Sequence, residues 1–232
     1  MKKVLIIAYS YPPLANKESA RIAGFVEQLG NYGWEPLVLT RRVRSREAAS
    51  EDLSEPSGVN VVRSGALSSE NLPRFLRTFA RFSASLLIPD KERLWELFCA
   101  RKAVRIAKYE GIDLVYTISP PFSAHLIGLR FKKKHPGMPW VADLCSSPTA
   151  AGGGKMKERF IKALMGKIIH EADCFITGDK KLYDDVLSGL PSRSGEDAAF
   201  YIPDGKPQEL SEQFERACRA MAARKIGKNG NT

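Results

Sequence analysis

The sequence predicts a single doubly wound α/β domain with a mainly parallel sheet of about seven strands, followed by a C-terminal helix. Short apolar runs without polar alternation recur along the chain, which is typical of strands that are covered on both faces. Segments with apolar residues at helical spacing lie between these runs. We expect the domain to occupy residues 1–206, and residues 207–232 to form the helix and a disordered tail.

The predicted strands alternate with predicted helices along the chain. The strands are the apolar runs at residues 4–8, 36–39, 59–62, 114–118, 140–144, 174–177 and 200–202. After the first run, Ile22, Phe25 and Leu29 recur at helical spacing, and Gly30 and Gly33 supply a stop before the second strand. The start of the chain therefore predicts a β-α-β unit.

Functional residues are expected at one edge of this sheet. Ligands of doubly wound sheets bind in the crevice beyond the carboxyl ends of the strands. The loops that leave these ends start at Ser10, Thr40, Ser119 and Cys145. Exposed loops rich in polar residues, glycine or proline are predicted at residues 41–58, 146–154 and 190–197.

Residues 71–88 predict a basic amphipathic helix. Its apolar stripe comprises Leu72, Phe75, Leu76, Phe79, Phe82, Leu86 and Leu87, whereas Arg74, Arg77 and Arg81 fall together elsewhere. Such a helix either lies in a membrane interface or covers the sheet and the neighbouring helix at 91–108. The pattern leaves both alternatives open, and a half-covered helix satisfies both.

The predicted C-terminal helix also has one apolar face. Its members are Leu210, Phe214, Ala217, Cys218 and Met221. This face either caps the core of the domain or forms a docking surface for a partner.

The charge of the chain favours an anionic partner. The net charge is +10 and the pI is near 9.5, which suits a membrane surface, a lipid-linked acceptor or another phosphate-bearing substrate. Nucleic acid is disfavoured, because no RNP, KH or helix-turn-helix pattern accompanies the charge. The basic run from Arg130 to Lys134 predicts a helix C-terminus, where positive charge complements the helix dipole.

The cysteines and the hydropathy indicate the compartment. Cys99, Cys145, Cys174 and Cys218 form no C-x-x-C pair and have no histidine at a zinc-site spacing, which argues against a disulfide framework or a structural metal. No stretch approaches the roughly 20 apolar residues that span a bilayer. We expect a cytoplasmic protein, either soluble or peripheral at the inner face of the membrane.

Five segments resemble a known family when they are taken in order. They are Tyr11-Pro12-Pro13 with residues 19–40, residues 113–125, residues 139–143, residues 171–173 and residues 201–205. Together they resemble the N-terminal, acceptor-side Rossmann-like domain of retaining GT-B glycosyltransferases of the family 4 type. The resemblance covers residues 1–206 and implies transfer of a hexose from a nucleotide sugar during polysaccharide or glycolipid assembly at the cell envelope.

The resemblance also implies roles for individual residues. It implies catalytic roles for His125 and Asp143, and acceptor binding by Lys17, Arg21, Ser119 and Ser123. Within this set, Lys17 and Arg21 are expected near an acceptor phosphate, and His125 is expected to reach the cleft. A structural role for His125 stays open as the alternative.

Two departures from the family pattern affect this expectation. The family continues after the equivalent of Asp143 with Phe-Arg-Asp-Pro-Trp, whereas this chain reads Leu144-Cys145-Ser146-Ser147-Pro148. The Arg–Asp pair at the mouth of the cleft is therefore expected to be missing. The residues after Gly205 are also too few for another β-α-β unit, so the C-terminal domain that binds the nucleotide sugar is expected to lie outside this chain.

Two hypotheses follow from the sequence. The first is the acceptor-binding half of a hexosyltransferase, inactive alone, which binds no cofactor itself and needs a partner protein that supplies the donor domain. The second is a catalytically inactive, glycosyltransferase-like scaffold that acts in protein association. The replacement of the family's Arg–Asp pair favours the scaffold, and the Pro120-Pro121-Phe122-Ser123 segment with His125 favours the enzyme.

Overall fold

A computed structural model of the protein describes residues 1–43, 54–65, 93–145, 155–189, 199–202 and 207–229. The strands are β1 (Lys2–Ile7), β2 (Trp34–Arg41), β3 (Asn60–Ser64), β4 (Leu114–Ser119), β5 (Trp140–Leu144), β6 (Cys174–Thr177) and β7 (Ala199–Tyr201). The helices are α1 (Lys17–Leu29), α2 (Arg93–Glu110), α3 (Ser123–Lys134), α4 (Lys155–Glu171), α5 (Lys180–Gly189) and α6 (Pro207–Asn229), with a 3-10 turn at Gly30–Tyr32.

The described strands form one parallel sheet in the order β3-β2-β1-β4-β5-β6-β7. This confirms the predicted fold class, a doubly wound α/β domain with a parallel sheet of seven strands and a C-terminal helix. The predicted amphipathic helix at 71–88 and the predicted loops at 146–154 and 190–197 lie outside the described residues, as does most of the loop at 41–58.

Both faces of the sheet are covered, which explains the continuous apolar runs. Successive residues of a strand point to opposite faces. Leu5 and Ile7 of β1 accordingly join the core beneath α2, α3, α4 and α5, whereas Val4 and Ile6 join the core beneath α1 and α6. All four side chains are fully buried.

Helix α1 has clear start and stop signals. Asn16 caps its N-terminus by accepting a hydrogen bond of 2.7 Å from the backbone N–H of Ser19. The 3-10 turn that follows the helix ends at Gly33, whose φ of +76° is a left-handed conformation that favours glycine. The stripe predicted from the sequence, including Ile22 and Phe25, is buried. These signals fix the helix that carries Arg21.

Helix α6 caps the core. The ring of Phe214 lies 5.6 Å from Phe25, 5.3 Å from Trp34 and 5.4 Å from Tyr116, measured between centroids. Trp34 Nε1 also donates a hydrogen bond of 2.9 Å to Glu215. Of the two alternatives for the apolar face of this helix, the structure shows the one in which it covers the domain.

None of the described helices combines the length and the apolar character needed to cross a bilayer.

Candidate functional site

The strand order reverses between β1 and β4, and this reversal defines the candidate site. β2 and β3 lie on one side of β1, whereas β5, β6 and β7 lie beyond β4. Loops that leave the carboxyl ends of β1 and β4 therefore part in opposite directions and leave a crevice. Asp143, near the carboxyl end of β5, lies beside this crevice.

A buried ion pair links α1 to β5 at this edge. Arg21 Nη2 donates to Asp143 Oδ2 at 2.8 Å, and the Tyr116 hydroxyl donates to the same oxygen at 2.9 Å. The Asp143 side chain has no exposed surface, and the Arg21 side chain is 16% exposed. A carboxylate in this position needs such partners, because burial of an unpaired charge is very costly.

The surroundings set the charge state of this cluster. Burial alone would lower the pKa of Arg21, but the negative charge of Asp143 outweighs it and the pKa lies above its ordinary value. Burial, and then the neighbouring Asp143 carboxylate, raise the pKa of Tyr116 and of the Cys145 thiol. The cluster therefore contains a guanidinium cation next to a neutral phenol and a neutral thiol.

The partner of Asp143 was not predicted from the sequence. The family's arginine and aspartate after the equivalent of Asp143 are replaced in this sequence by Cys145 and Ser146. Asp143 itself pairs with an arginine of α1, 122 positions away in sequence. Arg21 Nη1 also lies 3.0 Å from Cys145 Sγ.

The expected acceptor-binding residues of α1 differ in their environments. Lys17 is exposed in the first turn of the helix, four residues before Arg21 and hence on the same side. Arg21 is engaged by Asp143, but its guanidinium has five N–H donors, so the two contacts to Asp143 and Cys145 leave donors for another acceptor.

The two serines predicted to bind the acceptor are buried. Ser119 is 5% exposed and its hydroxyl donates to the backbone oxygen of Asp143 at 3.3 Å, which ties the ends of β4 and β5 together. Ser123 begins α3 and has no exposed surface. Neither serine presents an exposed side chain to an acceptor in this structure.

His125 lies on the opposite face of the sheet from the Asp143 side chain. Its ring is fully buried in α3, and Nδ1 lies 2.8 Å from Thr117 Oγ1, which accepts a hydrogen bond of 2.9 Å from Trp140 Nε1. Thr117 follows Tyr116 in β4, so the two side chains point to opposite faces. The structure therefore does not bring His125 and Asp143 together, and the expectation that this ring reaches the cleft is not met.

Desolvation keeps the imidazole neutral. Burial lowers the pKa of His125 from 6.5 to about 3. The Thr117 hydroxyl accepts a hydrogen bond from Trp140, so its own proton can be donated to His125 Nδ1. In this tautomer the ring proton of His125 is on Nε2. Nε2 has no hydrogen-bond partner among the described residues.

Two residues at the crevice were not predicted from the sequence. Tyr11 is fully buried in the loop after β1, and its hydroxyl has no partner within the described part of the chain. Burial, and then the charge of Glu55, raise the pKa of this phenol. Arg63 of β3 donates to the backbone oxygen of Pro12 at 2.6 Å and pairs with Glu55. Arg63 could have been found from the sequence, because it directly follows the apolar run at 59–62 and therefore lies near the carboxyl end of a predicted strand.

Comparisons with known proteins show the fold. No protein-family model and no curated protein sequence matches the chain. Among solved structures, it is similar to TcCGT1 in complex with UDP, with 9% identity and a TM-score of 0.50 over 88% of this chain and 51% of that one. It is also similar to a Listeria monocytogenes protein described as a UDP-N-acetylglucosamine 2-epimerase, with 11% identity and a TM-score of 0.50 over 86% of this chain and 44% of that one. The chain thus has a GT-B-like α/β fold and spans about half the length of these structures.

Proposed function

We propose that this chain is the acceptor-binding half of a GT-B glycosyltransferase of the family 4 type. The reaction is transfer of a hexose from a nucleotide sugar to a membrane-linked or polysaccharide acceptor. The sugar nucleotide binds to a domain outside these 232 residues. The observation that supports this proposal best is the Arg21–Asp143 pair beside the strand-order reversal, where folds of this class bind ligands.

In this proposal Asp143 positions Arg21 for the acceptor. The Asp143 carboxylate is inaccessible to solvent, so its own contribution is to hold the guanidinium in one orientation. Arg21 presents its remaining N–H donors, and exposed Lys17 adds a second positive charge on the same side of α1. Two cations on one side of α1 suit an acceptor that carries a phosphate.

The nature of the two similar structures supports sugar-nucleotide chemistry. One was solved with UDP, and the other is described as acting on UDP-N-acetylglucosamine. The net charge of +10 supports work next to an anionic membrane, where a lipid-linked acceptor resides. We accordingly place the protein in the cytoplasm, peripheral at the inner face of the membrane.

A reconstitution experiment tests this proposal. The chain is mixed with the product of any neighbouring reading frame that encodes a lone Rossmann domain for the nucleotide sugar. Labelled nucleotide sugars and a membrane extract are then supplied, and label in lipid or polysaccharide is counted. We expect copurification of the two proteins, and transfer only when both are present. Absence of both binding and transfer contradicts the proposal.

A catalytically inactive scaffold is the second candidate. The observation that favours it is the complete burial of His125, Asp143 and Ser123, three of the residues expected to line the cleft. The same experiment separates the two candidates, because a scaffold copurifies with its partner and gives no transfer.

A further inference from the structure

Helices α2 and α3 enclose an open groove on the face of the sheet that α1 and α6 do not cover. Its volume is about 690 Å³, and its lining includes Leu97, Phe98 and Val104 of α2. The α3 side consists of residues near the C-terminal end of that helix. Because α3 leads from the carboxyl end of β4 back to the start of β5, this part of the groove lies toward the amino edge of the sheet, away from Asp143.

The floor of the groove is apolar, and no residue in the described ranges covers it. Trp95 and Cys99 of α2 point into the core and are at most 1% exposed. Leu97 and Phe98 lie on the outer side of the same helix and are 39% and 44% exposed. Large apolar side chains that adjoin one another in a surface groove are typical of binding surfaces.

Positive charge surrounds this floor. Arg101 of α2 and Lys133 and Lys134 of α3 line the groove, are exposed, and form no ion pair with any residue in the described ranges. Arg130 differs, because its Nε lies 2.6 Å from the buried carboxylate of Glu96. Three exposed cations on the two sides of the groove thus suit an acidic ligand.

We propose that the α2–α3 groove binds an acidic amphipathic helix of a partner protein. Apolar side chains at i, i+3, i+4 and i+7 of such a helix fit a groove with an apolar floor. Carboxylates on its flanks pair with Arg101, Lys133 and Lys134, which sets the orientation of the bound helix. A flat bilayer surface, by contrast, contacts the cationic sides and leaves a concave floor unfilled.

This partner is separate from the sugar-transfer proposal. The groove and the Arg21–Asp143 pair lie on opposite faces of the sheet. A helix bound in the groove therefore leaves the crevice open. The groove can be tested in the absence of any sugar, donor domain or activity.

The experiment measures binding of a synthetic peptide by fluorescence anisotropy. The probe is a labelled helix of about 15 residues with leucine at the i, i+3, i+4 and i+7 positions and glutamate elsewhere. A matched peptide with lysine in place of glutamate, and vesicles of phosphatidylcholine with and without phosphatidylglycerol, are measured beside it. We expect the acidic peptide to bind at least about tenfold more tightly than the lysine peptide.

Matched variants assign the binding to the groove. Phe98→Ser with Lys133→Glu and Lys134→Glu is expected to weaken acidic-peptide binding at least about tenfold. The control on α4 is Phe160→Ser with Lys162→Glu and Lys167→Glu, which alters a phenylalanine of equal exposure, 43%, and two exposed lysines. The control is expected to bind the peptide as the unaltered chain does.

Four outcomes overturn the proposal. The first is equal binding of the acidic and basic peptides, and the second is an equal loss in both triple variants. The third is a chain that binds anionic vesicles and neither peptide, and that loses vesicle binding in the groove variant. This result would identify the groove as a membrane contact. The fourth is a chain that self-associates through the groove, seen as a dimer that only the groove variant dissociates.

Discussion

Asp143 is the residue whose environment determines the chemistry of the crevice. Its carboxylate is fully buried and receives hydrogen bonds from Arg21 and Tyr116 at 2.8 and 2.9 Å. Such a pair stabilises a fold only weakly relative to apolar residues of equal volume, but removal of one partner is strongly destabilising. The position of this pair at the carboxyl edge fits the proposed role of Asp143 in orienting Arg21.

The first prediction concerns Asp143→Asn. The substitution leaves Arg21 without its countercharge, and we expect the free energy of unfolding to fall by about 3 kcal/mol. Urea denaturation followed by circular dichroism measures the change. Asp185→Asn, at an exposed position of α5, is the control and is expected to change stability by less than about 0.5 kcal/mol. Equal stability of the two variants would show that the pair contributes nothing.

His125 predicts a pH dependence of stability. Its pKa falls from 6.5 to about 3 on folding. Between these two pH values the unfolded chain binds a proton that the folded chain does not. Stability therefore decreases as the pH falls below 6.5, with a slope of about 1.4 kcal/mol per pH unit. His125→Asn, which keeps a polar group near Thr117, removes this contribution. Relative to the variant, the unaltered chain is expected to lose about 2 kcal/mol by about pH 5.

Exposed His170 supplies the matched control for this measurement. His170→Asn should follow the unaltered chain at every pH. If the unaltered chain and His125→Asn lose stability in parallel on acidification, the imidazole is not a buried neutral group.

At the level of elements, close packing of α3 on β5 fixes the position of the helix that carries His125. A Cβ at Gly128 would lie 2.3 Å from two ring atoms of Trp140, whose Nε1 donates to Thr117. Glycine is required here by the approach of the indole. α3 is thereby held against the strand that carries Asp143.

The third prediction uses two helical glycines. Gly128→Ala is expected to destabilise the protein by about 1–3 kcal/mol because the methyl group displaces the indole. Gly166→Ala, in α4, meets no atom within 4 Å and is expected to raise stability by up to about 1 kcal/mol through helix propensity. Thermal unfolding of the two variants measures both effects, and shifts of the same sign would contradict this packing.

The elements could be predicted from the sequence because local patterns specify them. β5 and β6 have the predicted bounds, since a strand buried on both faces is a continuous apolar run. The Arg21–Asp143 contact could not be predicted, because it joins residues far apart in sequence and nothing near either residue indicates the other. The sequence left open whether His125 is structural or reaches the cleft, because nothing local to a single histidine indicates which way its ring points.

At the level of the whole molecule, the two faces of the sheet carry two different surfaces. The crevice beside the Arg21–Asp143 pair opens at the carboxyl edge, and the α2–α3 groove lies on the other face. In our two proposals the crevice binds the acceptor and the groove binds the partner helix. Because the two surfaces are on opposite faces, we expect the two ligands not to compete.

The central claim is that Arg21 and Lys17 bind the acceptor. The KM for the acceptor, measured with this chain and its donor-domain partner together, tests this claim most directly. Lys17→Ala and Arg21→Lys are compared with Lys162→Ala, an exposed lysine of α4. We predict that the first two variants raise the acceptor KM about tenfold, because each weakens a charged contact with the acceptor, while the KM for the nucleotide sugar stays constant. Lys162→Ala leaves both values unchanged. An acceptor KM that is unaltered in both crevice variants would contradict the account.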